Sequence, residues 1–269
     1  MDSSRAAPSA SPILLWGPRE SGKSTFLGCL LLKPDNADEA QRWRVAPADT
    51  RASDYAADLI AQIQTGNPLQ PTQVTEDPFW FKLQCPPSGG FLRRKPREFD
   101  LVLMDPSGEV FRPGVRSETS KRVLSLAANA RGLVLLVDAM HKDASTRYWD
   151  MFADNIGEMV RSLRDQEHGT KVLNHINRLT IPTAVCLTKM DLESSAREQP
   201  AQLLKERLGS AYGLIQRSFT NYKVFSCSAF GNALSEQNED GTLRLVPQPW
   251  GLIEPFQWIV EPRSVGLVS

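Results

Sequence analysis

The sequence Gly17-Pro18-Arg19-Glu20-Ser21-Gly22-Lys23-Ser24 fits the pattern G-x-x-x-x-G-K-[ST]. It follows the apolar run 13–16 and opens a helix-like stretch over 23–32. That strand-loop-helix setting is the one in which the pattern holds phosphate. The residue types follow from the task. Glycines let the backbone wrap closely round phosphate oxygens, and successive N–H groups join the helix N-terminus in an anion nest. The Lys23 ammonium is placed to neutralise β and γ oxygens, and the Ser24 hydroxyl to ligate Mg²⁺. Gly17, Arg19, Glu20, Ser21, Gly22, Lys23, Ser24 and Thr25 are therefore expected to line a nucleotide-phosphate site.

Around this loop, short apolar runs alternate with longer helix-like stretches. The runs cover 13–16, 79–83, 99–104, 133–137, 183–187 and 223–225. The helical stretches cover 23–32, 118–130, 147–165, 202–208 continuing toward Arg217, and 249–260. Several runs are apolar without interruption, as strands buried on both faces are. The pattern predicts an α/β chain with a mostly parallel six-stranded sheet and helices on both faces. No helical stretch separates 79–83 from 99–104. Pro86-Pro87, Gly89-Gly90 and the basic residues 93–97 read as a hairpin loop, which makes that pair antiparallel. Two segments read as insertions: 34–78, with a helix over 54–64, and 232–247, ending in a strand candidate over 242–246. Residues 1–10 and 264–269 read as tails around a single domain over 11–263.

Composition removes several function classes. The 31 basic residues balance 31 acidic ones, so no bulk electrostatic attraction to nucleic acid or anionic membrane exists. The longest apolar run, 133–137, is too short to span a bilayer, and the N-terminal residues carry no secretory pattern. A cytoplasmic protein without a transmembrane segment is expected. Cys29, Cys85, Cys186 and Cys227 form no C-x-x-C pair and read as buried reduced thiols. His141, His168 and His175 show no ligand spacing and read as surface residues. The run Arg93-Arg94-Lys95-Pro96-Arg97 reads as a solvated hairpin tip. Trp250, Leu252, Ile253, Phe256, Trp258 and Ile259 read as the core-facing side of the last helix.

Three more strand ends carry chemistry. Asp105-Pro106-Ser107-Gly108 closes the run 99–104 as D-x-x-G, with Asp105 placed to hold Mg²⁺ through water and the Gly108 N–H to sense a γ-phosphate. Thr188-Lys189-Met190-Asp191 closes the run 183–187. A carboxylate there accepts hydrogen bonds from guanine N1–H and N2–H₂. Adenine lacks the amine and turns an acceptor at N1 toward the same carboxylate, and leaving such a group unpaired discriminates strongly between bases. Ser228-Ala229 follows 223–225, where the Ala229 N–H reaches guanine O6.

This order of motifs resembles the Ras-like and translation-factor members of the TRAFAC class of P-loop GTPases. Residues 20–25 are also similar to the phosphate loop of heterotrimeric G-protein α subunits. The D-x-x-G-E sequence at 105–109 is similar to that of single-domain bacterial GTPases linked to conflict and signalling systems. The resemblance implies a Ras-like G domain with a guanine site at Thr188, Lys189, Asp191, Ser228 and Ala229, the Lys189 stem packing on the base. It also implies a metal site of Ser24, Asp105 and a switch threonine. Thr72 and Thr75 both lie in the interval before the second strand, and Thr75 is the nearer.

Three positions depart from the resembled pattern. Thr188 stands where Asn is usual, which predicts weaker contact with guanine N7 and a weaker tie to the phosphate loop. Arg19 stands where Ras-like enzymes carry Gly to admit an arginine finger. Glu109 follows Gly108 where many relatives use Gln to position the attacking water. A carboxylate there also repels the γ-phosphate.

The expected function is a Mg²⁺-dependent molecular switch that hydrolyses GTP to GDP and phosphate, slowly without a partner. Catalysis would fall to Lys23, Gly108, Glu109 and Thr75. A protein effector or activator, a homodimer, or an internal arginine among Arg19, Arg112 and Arg116 would complete it. An alternative is a nucleotide-gated scaffold that holds GTP or GDP with negligible turnover. A kinase or ATPase using adenine nucleotide is a third reading, opposed by residues 188–191.

Overall fold

A computed structural model describes residues 11–18, 20–32, 43–66, 77–86, 97–103, 125–138, 140, 153–154, 156–158, 160–161, 178–193, 198–207, 209–237 and 241–261. Seven strands form one sheet: β1 (Ile13–Trp16), β2 (Arg44–Pro47), β3 (Phe79–Cys85), β4 (Arg97–Leu103), β5 (Gly132–Asp138), β6 (Thr183–Thr188) and β7 (Tyr222–Ser226). Their spatial order is β2-β3-β4-β1-β5-β6-β7. Strand β1 pairs in parallel with β4 and β5, β5 with β6, and β6 with β7. The expected antiparallel pair is present, with Phe79 opposite Leu103 and Cys85 opposite Arg97.

The expected count of six strands is corrected to seven. The added strand is β2, antiparallel to β3 with Arg44 opposite Gln84 and Pro47 opposite Phe81. Arg44 is exposed and the other three residues are only partly buried. An edge strand needs no continuous apolar run, and a proline is tolerated there. By contrast every residue of β1, β5 and β6 is buried, as strands covered on both faces must be.

The core lies in two layers, one on each sheet face. Ile13, Leu15, Val134, Leu136, Ala184 and Cys186 point to one side. There they meet helix α1 (Lys23–Leu31), α2 (Thr50–Gln64) and the last helix, whose Phe256 and Ile259 are buried. The alternate residues Leu14, Trp16, Leu133, Leu135, Val137, Val185 and Leu187 meet Ile156, Val160, Leu204, Ile215 and Phe219 on the other side. The two-residue alternation of strand side chains thus fills both layers.

Helix α2 is longer than the expected 54–64, because Asp49 caps it by accepting from the Ala52 N–H at 2.8 Å. The stretch 202–208 continuing toward Arg217 falls on two helices, α3 (Pro200–Arg207) and α4 (Gly209–Ser218). The last helix, α5, spans Glu254–Val260 rather than 249–260. Before it, Ser228 and Trp250 exchange backbone hydrogen bonds of 3.0 Å and the chain turns at Gly251, with φ +72°. Leu252, Phe256 and Ile259 are buried, as the core reading expected. The strand candidate 242–246 becomes β9 (Leu243–Val246), paired with β8 (Leu234–Gln237) in a separate antiparallel hairpin. Of the stretches 118–130 and 147–165, residues 125–130, 153–154, 156–158 and 160–161 are described; all are helical except 129 and 130, so the first helix ends at 128.

All four cysteines are free and buried. Desolvation pushes Cys29 and Cys85 up to about 12, with the nearby Arg97 and Arg131 charges pulling Cys85 partly back. No helix among the described residues is long and apolar enough to cross a membrane.

Candidate functional site

The turn from β1 into α1 is shaped by what surrounds Gly17. A Cβ there would lie 2.5 Å from Ser21 Oγ and 2.7 Å from the Leu136 carbonyl, so only glycine fits between loop and sheet. Glu20 (φ 66°) and Gly22 (φ 85°) take left-handed backbone conformations, and the Ser21 N–H donates to the Pro18 carbonyl at 3.3 Å. These turns bend the loop back toward the start of α1, whose first N–H groups have no partner within the helix. Lys23 is buried, and its Nζ donates to the Gly17 and Pro18 carbonyls, each at 2.9 Å. The ammonium is thereby held over the loop. Ser21 Oγ is buried without a hydrogen-bond partner among the described residues.

The loop after β6 comes up beside the phosphate loop. Thr188 Oγ1 lies 3.0 Å from the Ser21 carbonyl and 3.1 Å from the Val137 carbonyl, with its one proton facing both. The tie to the phosphate loop, expected to be weaker than with Asn, is made here by the hydroxyl at 188. That hydroxyl has no second proton for a base nitrogen.

Lys189 is left-handed at φ 60°. Its Nζ donates to Asp138 Oδ2 at 2.5 Å and lies 3.5 Å from the Glu20 carbonyl. Asp138 is buried at the end of β5 and also accepts the Met140 N–H at 2.9 Å. One ion pair therefore joins the ends of β5 and β6, and its lysine reaches the phosphate loop.

Beyond it, Asp191 accepts a short hydrogen bond from Ser228 Oγ, which in turn accepts the Gly231 N–H at 2.8 Å. Backbone bonds from Met190 N to Cys227 O and from Cys227 N to Leu187 O fasten the two loops together.

Between these loops lies a cavity of about 270 Å³ lined by Gly22, Thr25, Phe26, Thr188, Lys189, Asp191, Cys227, Ala229 and Phe230. The structure thus brings together residues expected from three motifs, Gly22 and Thr25 of the first with Thr188, Lys189, Asp191 and Ala229 of the other two, which lie 163 or more positions further along the chain. Phe26, Cys227 and Phe230 were not foreseen. Their apolar character alone reads as core, and only the fold turns it toward the cavity. Asp138 was also missed, although an aspartate closing the apolar run 133–137 at a sheet end was a usable signal.

The donor set suits a purine nucleotide. The cavity lining offers the start of α1 at Gly22 and Thr25, the Lys189 side chain, the Asp191 carboxylate and the aromatic surface of Phe26 and Phe230. For Mg²⁺, Ser24 offers a hydroxyl at the start of α1. Arg19, Thr72, Thr75, Asp105, Gly108, Glu109, Arg112 and Arg116 lie outside the described residues. So do His141, His168, His175 and residues 93–96 of the basic run. No cluster of three or more metal-ligating side chains occurs among the described residues.

The sequence profile of a family described as Double-GTPase 2 matches residues 11–251. No curated protein matches the chain. Among solved structures, it is similar to the signal recognition particle receptor SRb-GTP/SRX complex from Chaetomium thermophilum, at 17% identity and a TM-score of 0.42, covering 83% of this chain and 92% of that one. It is also similar to the Arl6 BBS3 small GTPase from Trypanosoma brucei with bound GppNp, at 12% identity and a TM-score of 0.40, covering 93% and 94%. These likenesses are distant.

Proposed function

Because the chain belongs to the Double-GTPase 2 family, we propose that it is a Mg²⁺-dependent guanine-nucleotide switch that hydrolyses GTP to GDP and phosphate. The observation that carries this reading is the shared cavity, where the phosphate-loop residues Gly22 and Thr25 face Thr188, Lys189, Asp191 and Ala229. In this reading the loop amides and Lys23 bind phosphate, and the Asp191 carboxylate, oriented by Ser228, selects guanine. The Lys189 stem packs on the base while its ammonium is anchored on Asp138.

Ser24, with Asp105 and Thr75 expected from the sequence, would hold Mg²⁺. The ion would supply neutralisation of phosphate charge. Catalysis is then positioning and charge stabilisation around an in-line water, with Gly108 and Glu109 as the sequence candidates beside it. Arg19 and Glu109 support slow turnover that an activator, a second copy or an internal arginine raises. The output is a change of shape read by a partner protein.

Single-turnover phosphate release from GTP and from ATP tests this, with Lys23→Ala as the blank. Release from GTP alone, abolished in the variant and spread to ATP in Asp191→Ala, is the expected result. Tight GTP binding without release would replace the enzyme by a nucleotide-gated scaffold. Selective release from ATP would overturn the guanine reading altogether.

A further inference from the structure

Helix α2 buries Ala52, Ala56, Leu59 and Ile63 in the core layer beneath α1 and β3. Tyr55, on a partly buried side of the same helix, reaches the phosphate-loop helix: its Oη donates to Ser24 Oγ at 3.2 Å. The phenol ring cannot swing freely. It stacks on Phe79 with centroids 4.2 Å apart and planes 10° from parallel. Arg51, one turn earlier on α2, lies 4.3 Å from the centre of the Phe79 ring and donates to the Asp77 carbonyl at 2.7 Å. The start of β3 is thus fastened to α2, and α2 in turn to Ser24.

A serine hydroxyl has one proton and two lone pairs, and its side chain rotates among three wells. Donation from a fixed phenol occupies one lone pair and selects one well. We propose that Tyr55 is a positioning residue for Ser24, holding the hydroxyl so that its other lone pair is presented to a divalent cation beside the nucleotide phosphates. This rests on the reading of Ser24 as a Mg²⁺ ligand. It assigns to a residue of α2, outside every motif of the chain, a share in setting how much Mg²⁺ the site needs.

Tyr55→Phe keeps the stacked ring and removes only the hydroxyl. The test follows release of a fluorescent GDP analogue from the full-length protein as free Mg²⁺ is varied. Loss of one neutral hydrogen bond predicts that the Mg²⁺ concentration giving half-maximal slowing of release rises about fivefold. With Mg²⁺ chelated, release from Tyr55→Phe and wild type is expected to be the same. A midpoint that stays put or falls overturns the proposal, and so does an equal change of rate in chelator, which marks a general loosening of the site. Ser24→Ala separates the two readings. If it abolishes the Mg²⁺ response while Tyr55→Phe leaves the midpoint unmoved, the role of Tyr55 falls alone. If wild-type release ignores Mg²⁺, the metal reading of Ser24 falls and takes the proposal with it.

Discussion

Gly28 sits inside α1 where α2 crosses it, and the closeness of that crossing has a measurable size. A Cβ at position 28 would meet Ile63 Cδ1 at 2.4 Å and Leu59 Cβ at 3.5 Å. Ile63 is only 1% exposed, so its terminal methyl cannot swing out into solvent. Two effects oppose each other in Gly28→Ala. Alanine is the better residue in a helix interior by about 1 kcal/mol, while overpacking a closed core costs about 1–3 kcal/mol. The net is a loss of about 1 kcal/mol. Ile63→Val deletes the clashing methyl and by itself costs about 1 kcal/mol. In that background the clash is gone, and Gly28→Ala recovers about 1 kcal/mol through helix propensity. The double variant then matches wild type, a coupling of about 2 kcal/mol between the two sites. For a chain of 269 residues, 1 kcal/mol corresponds to about 2 °C in melting temperature. Calorimetry should find each single variant about 2 °C below wild type and the double variant level with it. A double variant about 4 °C below wild type, the additive result, would refute close docking of α2 at Gly28.

Two further outcomes follow from the site and the core. Asp138→Asn keeps an oxygen for the Met140 N–H but removes the charge that Lys189 meets at 2.5 Å. Lys189 is 44% exposed, so water compensates for much of the loss: stability falls by only about 1 kcal/mol. Guanine-nucleotide affinity, measured by titration calorimetry, should fall about fivefold as the lysine loses its anchor, and unchanged affinity would count against the Lys189 assignment. Burial raises the Cys29 and Cys85 thiols from 9.0 to about 12. Above pH 9 the unfolded chain sheds protons that the folded chain keeps. Stability is therefore full below about pH 9 and declines as pH rises toward 12. Urea midpoints across that range should fall less steeply in Cys29→Ala, and identical slopes would contradict the buried-thiol account.

Much of the central sheet was legible because burial on both faces leaves one simple trace, an unbroken apolar run. Leu133 to Val137 and Thr183 to Leu187 could be read as strands on that ground alone. Strand β2 left no such trace. Arg44 is exposed and Pro47 half-buried, and the segment is a strand because Leu83 and Phe81 lie opposite Val45 and Pro47. The candidate site divides the same way. Lys23, Thr188 and Asp191 stand in spaced motifs whose residue types follow from nucleotide chemistry. Tyr55 stands in none, since its nearness to Ser24 arises only when α2 docks on α1. At Thr188 the usual Asn suggested a weaker tie to the phosphate loop, and which atom makes that tie is visible only in the fold, where the hydroxyl stands 3.0 Å from the Ser21 carbonyl.

The placement of β2 at the rim of the sheet bears on how a chain of this kind can diversify. Strands β4, β1, β5 and β6 keep their parallel register whatever is added outside β3. The cavity wall at Thr188, on the end of β6, is therefore insulated from growth at that margin. The cavity's periphery is not, because the helix that follows the rim strand lies against α1 and sends a phenol to the serine after the loop lysine. Change at the edge can thus retune the nucleotide's surroundings while the central strands stay as they are.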